Sequence, residues 1–294
     1  MRECFLSLFA AICGVFALAA ADAQFDEYFS DNIVLQRGVK CPISGTGIPG
    51  VEVAVSLVEV RFESNSIVLA ELPPYTTKVD ENGVWKLNLN PTAAGGPHTI
   101  LLRADGQVVN KCENVMFGDV FIFADEGGAR LLRDVDDAQS KRQFARLPHL
   151  RLLAVGDEEF SGWWASTPYF VTDFSAAAFD FGRELQSSSD VAVGVIQVTA
   201  LSDEIAAKIF PTALRALVYS PADGEEWNDA IAVNVARWRE LAGNAKLPIF
   251  FDGDIGDSGL EAFYGIGSAD GAPGNRLAAE VLARLYPKPR GTTE

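Results

Sequence analysis

The hydrophobic pattern of the chain changes period at Gly118, and that change restricts the folds open to it. Before Gly118, apolar residues come in short runs separated by turn clusters. Val51, Val53 and Val55 alternate with Glu52 and Ala54, as a strand with one buried face requires. Asp80-Glu81-Asn82-Gly83 is a hairpin signal leading into Val84 to Leu89, and Gly95-Gly96-Pro97 leads into Thr99 to Leu102. Beyond Gly118, apolar residues come in blocks: Val120 to Phe123, Leu150 to Val155, Val191 to Val198, Leu214 to Tyr219 and Leu247 to Phe251. Strands of that kind need cover on both faces, as in a parallel sheet flanked by helices.

Helical segments separate several of these blocks. Trp227, Ile231, Val235, Trp238 and Leu241 recur at helical spacing in a helix predicted from Glu225 and Glu226 to Gly243. A last helix opens at Pro273, buries Leu277, Val281 and Leu285, and stops at Pro287. The expected organisation is a signal peptide over residues 1–23, a β-sandwich over 24–116, an α/β domain over 117–287 and a tail over 288–294.

Arg2, the apolar run Phe5 to Ala20 and the small-x-small site Ala21-Asp22-Ala23 have the form of a secretory signal cut before Gln24. The protein is therefore expected outside the cell or in the secretory lumen, without a membrane span after cleavage. The mature chain would keep two cysteines, Cys41 and Cys112, which an oxidising compartment favours as a disulfide. The net charge of −16 argues against nucleic acid and anionic membranes as partners.

A set of short segments, in order, resembles the sialate O-acetylesterase family of the SGNH hydrolases. They are Phe29 to Arg37, Asn82-Gly83-Val84-Trp85, Ala94 to Thr99, Phe117-Gly118-Asp119-Val120, Phe174-Ser175-Ala176-Ala177 with Phe181 to Leu185, and Val193 to Gln197. The resemblance implies an SGNH-like parallel sheet flanked by helices, preceded by a β-sandwich, with the chemistry on loops at the carboxyl ends of strands.

Each of those loops departs from the family pattern. Where the family has Gly-Gln-Ser-Asn-Met, this chain has Ala124-Asp125-Glu126-Gly127-Gly128-Ala129, and the nucleophile position falls on Gly127. Glycine has no side chain to acylate. The family's Trp-Gly-Gly-Thr loop, which helps form the oxyanion hole, is replaced by Ala200-Leu201-Ser202-Asp203. Its Gln-Gly-Glu-Ser-Asn loop is replaced by Ser220 to Glu225, which puts Glu225 at a donor position. A carboxylate there would repel a developing oxyanion. The Asp-x-His-Pro motif persists only as Asp270-Gly271-Ala272-Pro273, with Ala272 in the place of the base. The resemblance thus implies a catalytically inactive esterase scaffold that binds a glycan or a secreted or cell-surface protein.

Two other readings follow from the same residues. One is an active carbohydrate O-acetylesterase with rearranged catalytic groups. The other is a glycosidase using two carboxylates. Asp125, Glu126, Asp223, Glu225, Asp254, Asp257 and Asp270 all follow or flank strand ends and would form an acidic rim. No cofactor is expected, calcium on that rim being the one candidate.

Overall fold

The computed structural model describes residues 22–63, 66–126, 130–156, 161–210, 212–221, 227–253, 262–265 and 273–287. The described residues open with nine strands: β1 (Ala23–Phe25), β2 (Val34–Gln36), β3 (Cys41–Gly47), β4 (Glu52–Glu63), β5 (Ser66–Glu71), β6 (Tyr75–Lys78), β7 (Val84–Leu89), β8 (Gly95–Ala104) and β9 (Gln107–Asp125). There follow α1 (Ala138–Gln143), β10 (Leu147–Val155), β11 (Trp164–Ser166), α2 (Ala176–Ser188), β12 (Ala192–Val198), α3 (Asp203–Ile209) and β13 (Ala216–Ser220). The chain then forms α4 (Asp229–Leu241), β14 (Ile249–Phe251), β15 (Phe263–Gly265) and α5 (Pro273–Leu285).

Strand β9 joins the two patterns seen in the sequence. Its first half pairs antiparallel with β8, and its second half pairs in parallel with β12 on one side and β13 on the other. The parallel strands lie in the order β10-β12-β9-β13-β14-β15, with β11 antiparallel at the outer edge of β10. Among the described residues one sheet of 12 strands therefore runs through Gly118, and β1, β3 and β7 form a separate sheet of three. The change of pattern read near residue 116 lies inside β9, where the alternating and the unbroken apolar patterns are consecutive stretches of one strand.

Side chains of β9 alternate between two helical layers. Phe121 and Phe123 pack with Phe179 and Phe181 of α2 and Leu277 and Val281 of α5. Ile122 and Ala124 face the layer containing Ile205 and Ile209 of α3 and Ile231, Val235 and Trp238 of α4. This second core continues into the buried residues of the small sheet, including Phe25, Ile43 and Trp85. Helix α4 starts at Asp229, later than the sequence pattern suggests, because the Asn228 side chain accepts from the N–H groups of both Ala230 and Ile231 at 3.0 Å.

The amino end of the parallel sheet is tied by a buried carboxylate. Asp119, 1% exposed, accepts from Arg37 at 3.0 and 2.9 Å, from Gln36 at 2.9 Å and from Tyr286 at 2.5 Å. Burial disfavours its charged form, but these donors outweigh it and hold its pKa below the usual aspartate value. The network joins β2, β9 and the end of the C-terminal helix.

Cys41 and Cys112 are both buried and free, so the expected disulfide is absent from this structure. They lie in different sheets, and each thiol meets a carbonyl: Cys41 Sγ donates to Gln36 O at 3.0 Å and Cys112 Sγ to Phe29 O at 3.4 Å. Burial pushes both thiols up to about 12. The expected signal cleavage site straddles β1, so a cut before Gln24 leaves Gln24 and Phe25 paired with Thr46 and Gly45. Among the described residues no helix is long and apolar enough to cross a membrane.

Two outcomes are expected. A chain beginning at Gln24 should show no reactive thiol while folded and two thiols per chain in denaturant without reductant; a count of zero would restore the disulfide. A Cβ at Gly118 would stand 2.0 Å from Ala192 O on the neighbouring strand. Gly118→Ala should therefore lower stability by about 1–3 kcal/mol or more in urea unfolding.

Candidate functional site

The strand order places a crevice at the carboxyl end of β9. The connection after β9 leads to β10 on one side, and the connection after β12 crosses to β13 on the other. Such a reversal opens a cleft beyond the strand ends, where α/β sheets hold ligands. A cavity of about 530 Å³ lies there, within the range of small-molecule sites. Its lining includes Asp125 from β9, Ser220 at the end of β13 with Pro221 after it, Ser175 to Ala177 and Asp180 at the start of α2, and Pro273 at the start of α5. Arg130, Asp136, Asp137 and Lys141 close another side.

Ser175 is held from several directions. Its Oγ donates to Asp125 Oδ2 at 2.7 Å and accepts from Ala178 N at 3.2 Å as the cap of α2. Its N–H donates to Gln197 Oε1 of β12 at 2.8 Å. The residue is 0% exposed, and its hydroxyl is committed to these partners. Desolvation by burial raises the Asp125 pKa, while the Ser175 hydrogen bond opposes the shift. Asp180, also buried, is neutralised by Lys141 of α1 and by Arg183 one turn along α2.

Glu126 points the other way. It follows Asp125 in the chain, and the strand alternation turns its side chain toward the α3 and α4 layer. Its Oε1 accepts from Leu201 N at 2.9 Å, and its Oε2 accepts from the Tyr219 hydroxyl at 2.5 Å. Leu201 belongs to the segment that the sequence resemblance placed at an oxyanion loop, and its N–H is taken by the chain's own carboxylate. Ser202 serves as the cap of α3, accepting from Ile205 N at 3.2 Å.

The acidic rim is thus divided where it is described. Asp125 lines the cavity and Glu126 braces the opposite face. Gly127, Asp223, Glu225, Asp254, Asp257, Asp270 and Ala272 lie outside the described residues. Asp252, at the end of β14, pairs with Arg276 of α5 at 2.9 Å. Among the described residues no group of three His, Cys, Asp or Glu side chains is placed to hold a metal ion.

Both histidines of the chain are far from the cavity. His98 pairs across from Val115, packs edge-on to Phe117 at 5.6 Å, and has its pKa lowered by burial. His149 precedes Leu150, whose partner Val193 is level with Asp119. At about 3.3 Å per residue, His149 sits roughly 23 Å and His98 roughly 33 Å from Asp125 along the strands.

Sequence reasoning passed over Lys141, Asp180 and Tyr219, and it read Ser175 only as part of a helix motif. A serine before an apolar helical run signals a cap. Its contact with Asp125, fifty residues earlier, is set by strand order.

The two buried aspartates should respond oppositely to pH. The raised pKa of Asp125 means its charge opposes folding once pH exceeds the ordinary aspartate range. Asp125→Asn should then raise the Tm at pH 7, with the gain fading as pH falls through that range. The depressed pKa of Asp119 contributes stability above the unfolded value that is lost as pH falls through the folded one. Asp119→Asn should lower the Tm at pH 7, with the difference shrinking in acid. Melting curves of both variants from pH 3 to 7 test these signs.

No protein-family profile and no curated protein matches the sequence. Among solved structures, the fold is similar to the crystal structure of a carbohydrate acetylesterase from Xanthomonas citri. The TM-score is 0.70 at 20% identity, over 91% of this chain and 76% of that one. A β-glucuronidase from Parabacteroides merdae aligns with a TM-score of 0.28 at 9% identity, over 79% of this chain and 33% of that one, too low to bear on architecture. The chain shares a mixed α/β, esterase-like fold with the acetylesterase: a large central sheet flanked by helices.

Proposed function

We propose that the protein is a secreted, catalytically inactive relative of the carbohydrate acetylesterases, of the sialate O-acetylesterase type, that binds a carbohydrate in the cavity at the carboxyl end of β9. The carrying observation is the place of the two imidazoles. Both stand toward the amino end of the parallel sheet, and the cavity contains none. A serine hydroxyl needs a neighbouring base to act as a nucleophile. The carboxylate of Asp125 accepts a hydrogen bond from the Ser175 hydroxyl, but a carboxylate is a far weaker base than an imidazole. Glu126 adds a second obstacle, because its carboxylate fills the Leu201 N–H that would otherwise be free to meet an anion.

The cavity suits a polyhydroxyl ligand. Asp125 and Ser220 offer acceptors beside Arg130 and Lys141 as donors, and Val135, Ala176, Ala177 and Pro273 supply apolar surface. The overall charge of −16 favours a neutral sugar over an acidic one. The outcome of an esterase assay on acetylated sialic acid and 4-nitrophenyl acetate should be no turnover above buffer. Loss of the nucleophile or base of a triad lowers kcat by about a millionfold. Hydrolysis that disappears in Ser175→Ala or Ser220→Ala would overturn the reading.

One observation favours a second reading, a carboxylate-based glycosidase. Asp125, with its raised pKa, has the character of a general acid, and a second carboxylate, Asp180, lines the same cavity beside Lys141 and Arg183. Cleavage of a glycosidic bond that is lost in Asp125→Asn would establish it in place of the first.

A further inference from the structure

One wall of the cavity at β9 is held in place by charge rather than by a core. Residues 133–144, which include α1, run between Leu132 and Ala145, both 0% exposed. Within that stretch no side chain is buried, and Val135 packs only in part on the core of α2 and α5. Helix α1 has six residues and no side-chain cap at its start. Yet Val135, Asp136, Asp137 and Lys141 all line the cavity. A segment with so little apolar burial belongs to the part of a fold that opens first.

Its ties to the rest of the molecule are polar. Arg133 pairs with Asp173, but both side chains are more than half exposed, and such pairs hold weakly. Arg142 Nε donates to Pro168 O at 3.3 Å. The strong tie is Lys141 to Asp180 of α2, whose side chains are 12% and 3% exposed.

Each member of that pair has a second counterion on its own element. Asp137 stands 3.5 Å from Lys141, four residues before it, and Arg183 stands 3.5 Å from Asp180, three residues after it. When α1 lifts, Lys141 leaves with Asp137 and Asp180 stays with Arg183. Neither charge is stranded, and a stranded charge is what makes a buried ion pair costly to break. Away from its support a helix of six residues is too short to persist, so lifting also unravels it.

We propose that residues 133–144 form a lid over the cavity at β9, latched by Lys141–Asp180 and released when that pair exchanges for Lys141–Asp137 and Asp180–Arg183. The lid would admit a ligand of any chemistry, so the proposal stands or falls separately from the sugar-binding reading.

Amide hydrogen exchange of the purified protein reads the opening. The reporter is the amide at position 141, which donates to Asp137 O at 3.0 Å while the lid is closed. Lys141→Met keeps an apolar stem and removes the latch, and exchange at 141 should rise about tenfold. Arg183→Met withdraws the counterion that Asp180 keeps when the lid is open, and exchange at 141 should fall about threefold. Amides of β9 and β12 should not change in either variant. Labelling of Ser220→Cys, on the cavity wall, by fluorescein maleimide should follow the same two signs, the native thiols being buried. Exchange that is unchanged, or faster in both variants, overturns the latch, since general loosening has one sign. Exchange that follows the two signs while labelling stays constant overturns the lid, because the segment then moves without covering the cavity.

Discussion

Everything in this fold is referred to strand β9. Over nineteen residues it passes from an antiparallel partner to two parallel ones, and no loop separates the two regimes. The passage requires the close approach at Gly118, where Ala192 O would collide with any Cβ. Gly118 is therefore a contact residue rather than a hinge, and the strand transmits its register from the β-rich half to the helix-flanked half. The Asp119 network beside it, reaching Arg37, Gln36 and Tyr286, fixes the same point from both ends of the chain.

The pleat of β9 also decides what its carboxyl end can do. Successive side chains leave opposite faces, so two neighbouring acids serve different purposes. Asp125 enters the cavity with Ser175, and Glu126 braces Leu201 and Tyr219 behind it. An acid pair that reads as a single feature in one dimension is thereby split by the sheet. The split leaves one carboxylate facing the cavity, while the other takes a backbone donor.

The parallel strands, the amphipathic helices and the change of pattern at Gly118 were legible in the chain because apolar periodicity is a local property. Helix α5 runs from Pro273 to Leu285 as its pattern implied, since proline suits a first turn. The absence of an imidazole from the cavity was nearly legible as well, since only two histidines exist and both precede apolar strand runs. Other features were decided only by tertiary structure. Cys41 and Cys112 are the two cysteines of the expected mature chain, and the placement of each thiol against a carbonyl follows from long-range strand pairing. The pattern changes near residue 116 because β9 changes partners there without interrupting its backbone. Ser175 meets Asp125, and Lys141 meets Asp180, because strand order folds distant segments over one crevice. The sequence by itself determined which segments are strands and helices and which faces they bury; the order of strands in the sheet determined which side chains meet, because that order is set by long-range pairing rather than by neighbours along the chain.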